Sequence, residues 1–283
     1  MTRHFRTITR ATLPFLLVLI SGILSSPAHA QETIKIGGTG TGLGTMHLII
    51  AAFEKENPYL KIKLMPSIGS SGAIKATAEG AMDIGLIGRP LKEDEAKLGL
   101  TVIEYAKTPF LFVVQNKVPV SDLSLEEIVK IYKGETLTWP NGERVRLVLR
   151  PATDADTVFA RTVSPEMNTA LDSALSRQGM LMGLTNQENN DLIDKTPGSI
   201  GFSSLTQIVT EHHEVKALTI NGIAPGTKGI VNKKYPFMRT LALLIKPSPS
   251  PSVRRFIDFM YSPTGEGILK KTGNVPIPVK TGK

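Results

Sequence analysis

Three short runs of glycine and hydroxyl residues carry the chemistry that this sequence can offer. They are Gly38-Thr-Gly-Thr-Gly42, Ser67-Ile-Gly-Ser-Ser-Gly72 and the turn from Thr153 to Thr157. Each falls where a strand should give way to a helix. The first backbone N–H groups of a helix are unpaired and lie at the positive end of its dipole, so they attract anions. Hydroxyls add uncharged donors there, and glycine lets the backbone come close. A single loop of this kind is more often a turn; two in succession after strands point to an anion. Nucleotide readings fail on detail: the first loop does not keep the G-x-G-x-x-G spacing, no acid closes a second strand to hold a ribose, and no Gly-Lys-Ser/Thr follows.

Other chemistry is thinly provided. There are no cysteines, which excludes thiol catalysis, Cys-ligated zinc and iron–sulfur clusters. Beyond the first 30 residues the histidines are His47 and the adjacent His212 and His213, and no buried acid is proposed for a Ser–His–Asp arrangement. His212 and His213 point in different directions and read as solvated surface rather than metal ligands. No cofactor is expected.

The elements that must position the loops are legible. Thr33 to Ile36 alternates as a strand, and Met46, Ile49, Ile50 and Phe53 recur at helical spacing after the first loop. Leu60, Ile62 and Leu64 alternate again; Ala73 to Gly80 reads as a second helix, and Met82 to Ile87 as a short buried strand. Strand–loop–helix repeated in this way argues for an α/β lobe with a largely parallel sheet. Further on, Phe110 to Val114 is an apolar strand, and Ser124-Leu-Glu-Glu127 is a capping box opening a helix. Val145 to Leu149 and Thr240 to Lys246 read as strands, Thr196 to Phe202 as a turn into a strand, and Val253, Phe256, Ile257 and Met260 as a helical face. Trp139, beside Pro140, reads as packing under a turn.

The N-terminus has its own pattern. Arg3, Arg6 and Arg10 precede an apolar run from Leu13 to Leu24, and Ala28-His-Ala30 offers the small-x-small site of a signal peptidase. The run is too short for the roughly 20 residues of a spanning helix. Residues 1–30 are therefore expected to be a cleaved secretory signal peptide, with no lipid-anchoring Cys after it. The whole chain has 33 Lys and Arg against 25 Asp and Glu; without Arg3, Arg6 and Arg10 the balance is 30 against 25, net +5. These charges are dispersed rather than clustered, which speaks against nucleic acid and suits an anionic ligand.

The same residues resemble a family. Gly38-Thr-Gly-Thr, Ser67-Ile-Gly-Ser-Ser-Gly and Asp83-Ile-Gly-Leu-Ile-Gly-Arg-Pro-Leu91 look like the N-terminal lobe of the phosphate-binding proteins of bacterial phosphate importers. The likeness continues through Leu125 to Gly134, Thr196 to Phe202, Tyr235-Pro-Phe-Met-Arg239 and Phe256 to Gly265. It implies a type II periplasmic binding protein: two α/β lobes, each a mixed, mostly parallel sheet flanked by helices, closing over a small oxyanion. Lobe I would be 31–113 with 237–283 and lobe II 114–236, joined near Phe112 to Val118 and Tyr235 to Leu244. The resemblance further implies a periplasmic monomer that hands its solute to an inner-membrane ABC permease.

By position, Thr39, Gly40 and Thr41 would donate from the first helix start, and Ser70, Ser71 and Gly72 from the second. Two departures bear on the ligand. Where the family carries an Asp that accepts the proton of hydrogen phosphate, this chain has Gly88 followed by Arg89, which would then face the anion. Where the family has an Arg and then Gly-Ser-Gly-Thr, this chain reads Arg150-Pro-Ala-Thr-Asp-Ala-Asp-Thr157, so that Arg150, Asp154, Asp156 and Thr157 stand at the second-lobe site. One Asp could replace the missing proton acceptor, or Asp154 could cap the following helix and point away. Alternatively, the ligand is an organic or amine-bearing solute. A sensor or adhesin on the same fold, and a secreted phosphate-ester hydrolase, are the rival functions. Asp83 is expected to fix a turn.

Overall fold

The computed structural model describes residues 1–2, 32–211, 213–227 and 230–278. The chain divides into two units after Ala30, and the expected signal peptide lies outside the described residues except for its first two. All elements below belong to the unit Gln31–Lys283.

The first lobe opens as expected, with β1 (Glu32–Gly38), a 3-10 turn (Gly40–Gly42), α1 (Leu43–Glu56), β2 (Leu60–Leu64), α2 (Gly69–Glu79) and β3 (Ile84–Ile87). β1 pairs in parallel with both β2 and β3. The α1 face of Met46, Ile49, Ile50 and Phe53 is buried, and Phe53 meets Phe256 and Phe259 edge-on at 5.2 and 5.5 Å. α2 begins four residues earlier than the apolar pattern suggests, so Ser70, Ser71 and Gly72 sit in its first turn rather than in a loop. Glycine is required at the end of β1: Gly38 has φ +143°, and a Cβ there would lie 2.2 Å from the Leu86 carbonyl oxygen. Asp83 does fix the approach to β3, accepting from Lys35 N at 2.7 Å.

After α3 (Glu93–Ala96) comes β4 (Thr101–Gln115), far longer than its apolar Phe110–Val114 segment. Its first four residues are exposed or half-buried, so the strand lacks a continuous apolar signature. Its first half pairs antiparallel with β13 (Met238–Ile245), and Phe110 to Val114 pair antiparallel with β8 (Ser199–Ser204). Pro109, with no N–H to give, stands at the handover between the two partners.

Between β4 and β13 lie β5 (Asp122–Leu123), α4 (Leu125–Lys133), β6 (Arg146–Leu149), α5 (Ala155–Arg161), α6 (Pro165–Ser176), β7 (Leu181–Met182), α7 (Asn186–Lys195), β8 and α8 (Leu205–Thr210), then the short strands β9 (Val215–Ala217), β10 (Thr219–Ile220), β11 (Gly226–Thr227) and β12 (Ile230–Val231). α9 (Pro251–Met260), α10 (Pro263–Lys271) and β14 (Val275–Pro276) follow β13. The main path of the sheet runs β2-β1-β3-β13-β4-β8-β6-β7. The α4 capping box is formed in both directions between Ser124 and Glu127. Trp139 is buried and donates from Nε1 to the Gly198 carbonyl at 2.9 Å, tying one turn to another.

Two large hydrophobic cores and a smaller one of Ala73, Ile74, Ile87, Ala242 and Leu244 pack with this sheet. One large core gathers Ile34, Phe53, Tyr105, Ala106, Leu243 and Phe256; the other gathers Phe110, Phe112, Tyr132, Leu147, Phe202 and Tyr235. Residues Phe110 to Val113 therefore pack with the second core, although the sequence reading ended lobe I at 113. The core changes where β4 changes partner, a feature that an apolar run cannot reveal. Among the described residues no helix is long and apolar enough to cross a membrane.

Candidate functional site

The ends of β1, β3, β6 and β13 bring buried charge together. Arg150 closes β6 at 1% exposure, and Arg239 sits near the start of β13 at 2%. Arg150 grips Asp154 with Nε at 3.1 Å and Nη2 at 2.6 Å, while its Nη1 donates to the Gly183 carbonyl at 2.7 Å. Arg239 donates from Nη1 to Asp156 and from Nη2 to the Thr41 hydroxyl at 2.6 Å. Asp156, at 1% exposure, also accepts from Asn186 Nδ2 at 2.8 Å and lies 3.6 Å from Arg150 Nε. Two arginines and two aspartates form one quartet of zero net formal charge.

Local sequence explains each placement. Asp154 is the N-cap of α5, with extended backbone dihedrals and a carboxylate that accepts from Asp156 N at 2.9 Å. It thus caps the helix and turns back to Arg150 at the same time. Asp156 lies two residues into the first turn and faces Arg239. Thr157 is buried and donates to the Arg150 carbonyl at 3.2 Å, which fixes the loop rather than leaving a free donor.

The first-lobe loops approach the same place. Thr39 and Thr41 are buried, their hydroxyls 3.4 Å apart, and the Gly40 carbonyl accepts from Gln187 at 3.3 Å. Ser70 is buried and accepts from Gly88 N at 3.1 Å. Ser70, Ser71, Thr153, Asp154 and Thr185 share the wall of a cavity of about 240 Å³. Gly72 is carried inside α2, where a Cβ would meet Ile68.

Arg89 has a different partner from the one expected. Its two Nη groups each lie 2.7 Å from a Glu95 oxygen, and they donate further to the Pro90 carbonyl and the Ser71 hydroxyl at 2.9 and 2.8 Å. Hydrogen bonding from Arg89 holds the Glu95 carboxyl below its ordinary range. Sequence reading missed Glu95 because the fork closes only when α3 folds back after Pro90.

Arg239, Asn186 and Gln187 were also missed as site residues. A signal for α7 exists: Asn186, Asn189, Asn190 and Ile193 follow the i, i+3, i+4, i+7 spacing of a buried face, and all four are buried. Amides where apolar residues belong mark a polar junction. Of the paired histidines, His213 lies 3.1 Å from Glu211 and 3.4 Å from Asp191, and His212 is outside the described residues. Among the described residues no cluster of three or more His, Asp or Glu could hold a metal ion.

The Asp154 carboxyl is pushed above its ordinary value of 3.8 by burial, and further by the neighbouring Asp156, against the pull of Arg150. A carboxyl whose folded pKa is raised binds its proton better in the folded state. Its contribution to stability is therefore greatest below the unfolded value and is lost as pH rises through the folded one. Urea unfolding of Asp154→Asn, which keeps a good cap, should show the variant gaining on the wild type between mildly acidic and neutral buffer. A difference independent of pH would remove Asp154 as the titrating group.

Comparison with known proteins agrees with this architecture. A family model described as PBP superfamily domain matches residues 25–264. The phosphate-binding protein PstS of Bacillus subtilis is 25% identical over 264 residues, 89% of this chain and 85% of its own length. Protein SphX of Synechococcus elongatus is 25% identical over 296 residues, 95% of this chain and 85% of its own. A Clostridium perfringens substrate-binding protein assigned to a phosphate ABC transporter, solved with phosphate bound, superposes with a TM-score of 0.75 at 23% identity, covering 87% of this chain and 100% of that one. At that identity the superposition speaks for the fold alone. The chain belongs to the PBP superfamily, with a two-lobed α/β fold, and is similar over most of its length to PstS and SphX, from which it has diverged.

Proposed function

We propose that the solute is a small oxyanion, phosphate or a close relative, captured where the loops after β1, β3 and β6 meet and delivered to an inner-membrane ABC permease. The observation that carries this reading is the convergence of Arg150, Arg239 and Asn186 on one carboxylate, Asp156, with Thr41 beside them on Arg239. Asp156 is itself an oxygen anion, so its donor set is one that a free oxyanion competes for. The B. subtilis PstS relative, named for phosphate binding, supports the choice of anion.

The charge balance selects the form of the ligand. The two acids already offset the two arginines, and a further like charge at 4 Å costs about 4 kcal/mol at an effective dielectric near 20. A singly charged, protonated oxyanion limits that cost and can donate its O–H to an aspartate, as an unprotonated ion cannot. On this reading Ser70 and Ser71 supply hydroxyls from α2, Thr39, Gly40 and Thr41 from the loop before α1, and Gly72 the close backbone. Thr157 holds the loop, while Arg89 acts through Ser71. Residues 1–30 serve as a secretory signal, the protein works in the periplasm as a monomer, and the lobes, 31–113 with 237–283 and 114–236, bend about β4 and β13.

Calorimetry tests the proposal directly. Phosphate should bind, and sulfate should bind at least tenfold more weakly. Thr39→Ala should weaken phosphate binding about tenfold, the loss of roughly one hydrogen bond of 1.4 kcal/mol. Equal affinity for sulfate and phosphate, or no response to either, would sink the assignment.

A further inference from the structure

A second cavity, of about 470 Å³, lies on the other side of Arg239, between β3, β13 and α5. It differs from the oxyanion cleft in size and in chemistry. An inorganic oxyanion has five heavy atoms and displaces on the order of a few waters of ~30 Å³ each. Cavities in the range of roughly 300 to 1,000 Å³ suit organic molecules instead. The walls fit that class: Leu91, Val158, Phe159 and Met238 present hydrocarbon, while the hydroxyl side chains of Ser70, Ser71, Thr153 and Thr185 line the smaller cavity instead.

The polar groups of this cavity are the two arginines. Arg89 and Arg239 both line it, at 6% and 2% exposure, and the Nε of each is a buried donor without a partner. Their other nitrogens are spent on Glu95, Pro90 and Ser71 in one case and on Asp156 and Thr41 in the other. An unmade buried hydrogen bond is costly, so an acceptor brought to these two N–H groups is favoured. Gly88 also lines the cavity, and a Cβ there would meet Arg239 Nε and Cζ in ordinary contact at 3.7 Å, so the glycine borders the arginine edge. Because Glu95 and Asp156 already offset the guanidinium charges and Glu104 stands at the same wall, a multiply charged ligand is disfavoured.

We propose that this cavity binds a small organic monoanion with an apolar body, its acceptor oxygens on Arg89 Nε and Arg239 Nε and its hydrocarbon against Val158, Phe159 and Met238. The site shares Arg89 and Arg239 with the oxyanion reading but takes their Nε edges, so each reading is tested by its own ligand.

The test titrates the full-length protein with benzoate and hydrogen phenylphosphonate, against acetate and hydrogen methylphosphonate as probes with the same heads and little body. The aryl probes should bind at least tenfold more tightly than their short counterparts. Val102→Trp and Thr162→Trp, each filling the cavity from an exposed lining position, should weaken the aryl probes at least tenfold and leave the response to inorganic phosphate within twofold. Aryl probes no tighter than the short ones, or unaffected by both tryptophans, would overturn the proposal. The phosphate arm, read separately, reports on the oxyanion cleft, so failure of one site is distinguishable from failure of the other.

Discussion

Replacing Asp156 with alanine is expected to cost about 3–5 kcal/mol of folding stability, the range for breaking a buried ion pair by deleting one partner. The carboxylate is 1% exposed and is the only acid among the described residues that pairs with Arg239. Without it, Arg239 keeps only the Thr41 hydroxyl, and Asn186 loses its 2.8 Å acceptor. Arg150 is less affected because Asp154 still holds its fork. Chemical denaturation should therefore show a large loss in Asp156→Ala, partly recovered when Arg239→Met removes the stranded charge in the same chain. Phosphate gives the experiment a functional reading. If the oxyanion uses these donors, phosphate should still stabilise Asp156→Ala, by about 2.7 kcal/mol at 100 times the variant's own dissociation constant. A loss below about 1 kcal/mol would mean that the quartet does not organise the site.

The fold was largely legible because it rests on patterns local in sequence. The α1 stripe, the alternation in β1 and β2, and the Ser124–Glu127 box each lie within one element, and each forms as its spacing dictates. The limits appear where position depends on partners far along the chain. β4 reads as five apolar residues because the rest of it is half-exposed, and only pairing with β13 makes it a strand of 15. Ser70 and Ser71 looked like loop residues since small polar side chains give no helical periodicity, yet they form the first turn of α2.

The site was legible in its loops and opaque in its charges. The sequence points to Arg150, Asp154 and Asp156 as neighbours, since they span a single turn. It gives no spacing by which Arg239 could be matched to Asp156 across 83 residues, or Asn186 across 30. Two expectations about the acids were alternatives: a helix cap, or a partner for the ligand. Asp154 takes the first role, whereas Asp156 is engaged by Arg239. Gly88 borders the same arginine, since a Cβ there would lie in ordinary contact, 3.7 Å from Arg239 Nε and Cζ.

Arg150→Ala is expected to weaken phosphate binding by tenfold to 100-fold. Hydrogen bonds to charged groups contribute about 1.5–3 kcal/mol, and each 1.4 kcal/mol is a factor of ten in affinity. Among the described residues Arg150 is the only side chain that touches both aspartates, gripping Asp154 and lying 3.6 Å from Asp156. Removing it does more than delete a donor. It leaves two carboxylates beside the incoming anion with one guanidinium to offset them, so binding should also become steeper in pH, improving as Asp154 is protonated. Arg150→Lys separates charge from geometry. A lysine keeps the positive charge but cannot hold Asp154 with two parallel donors. Its affinity should fall between those of the wild type and the alanine variant, with most of the pH dependence of the wild type retained. Calorimetry on both variants, with unfolding curves to establish that each is folded, checks the prediction. Wild-type affinity in a folded Arg150→Ala would show that the oxyanion is held without this arginine, and the cleft would have to be assigned to Arg239 and the first-lobe hydroxyls alone.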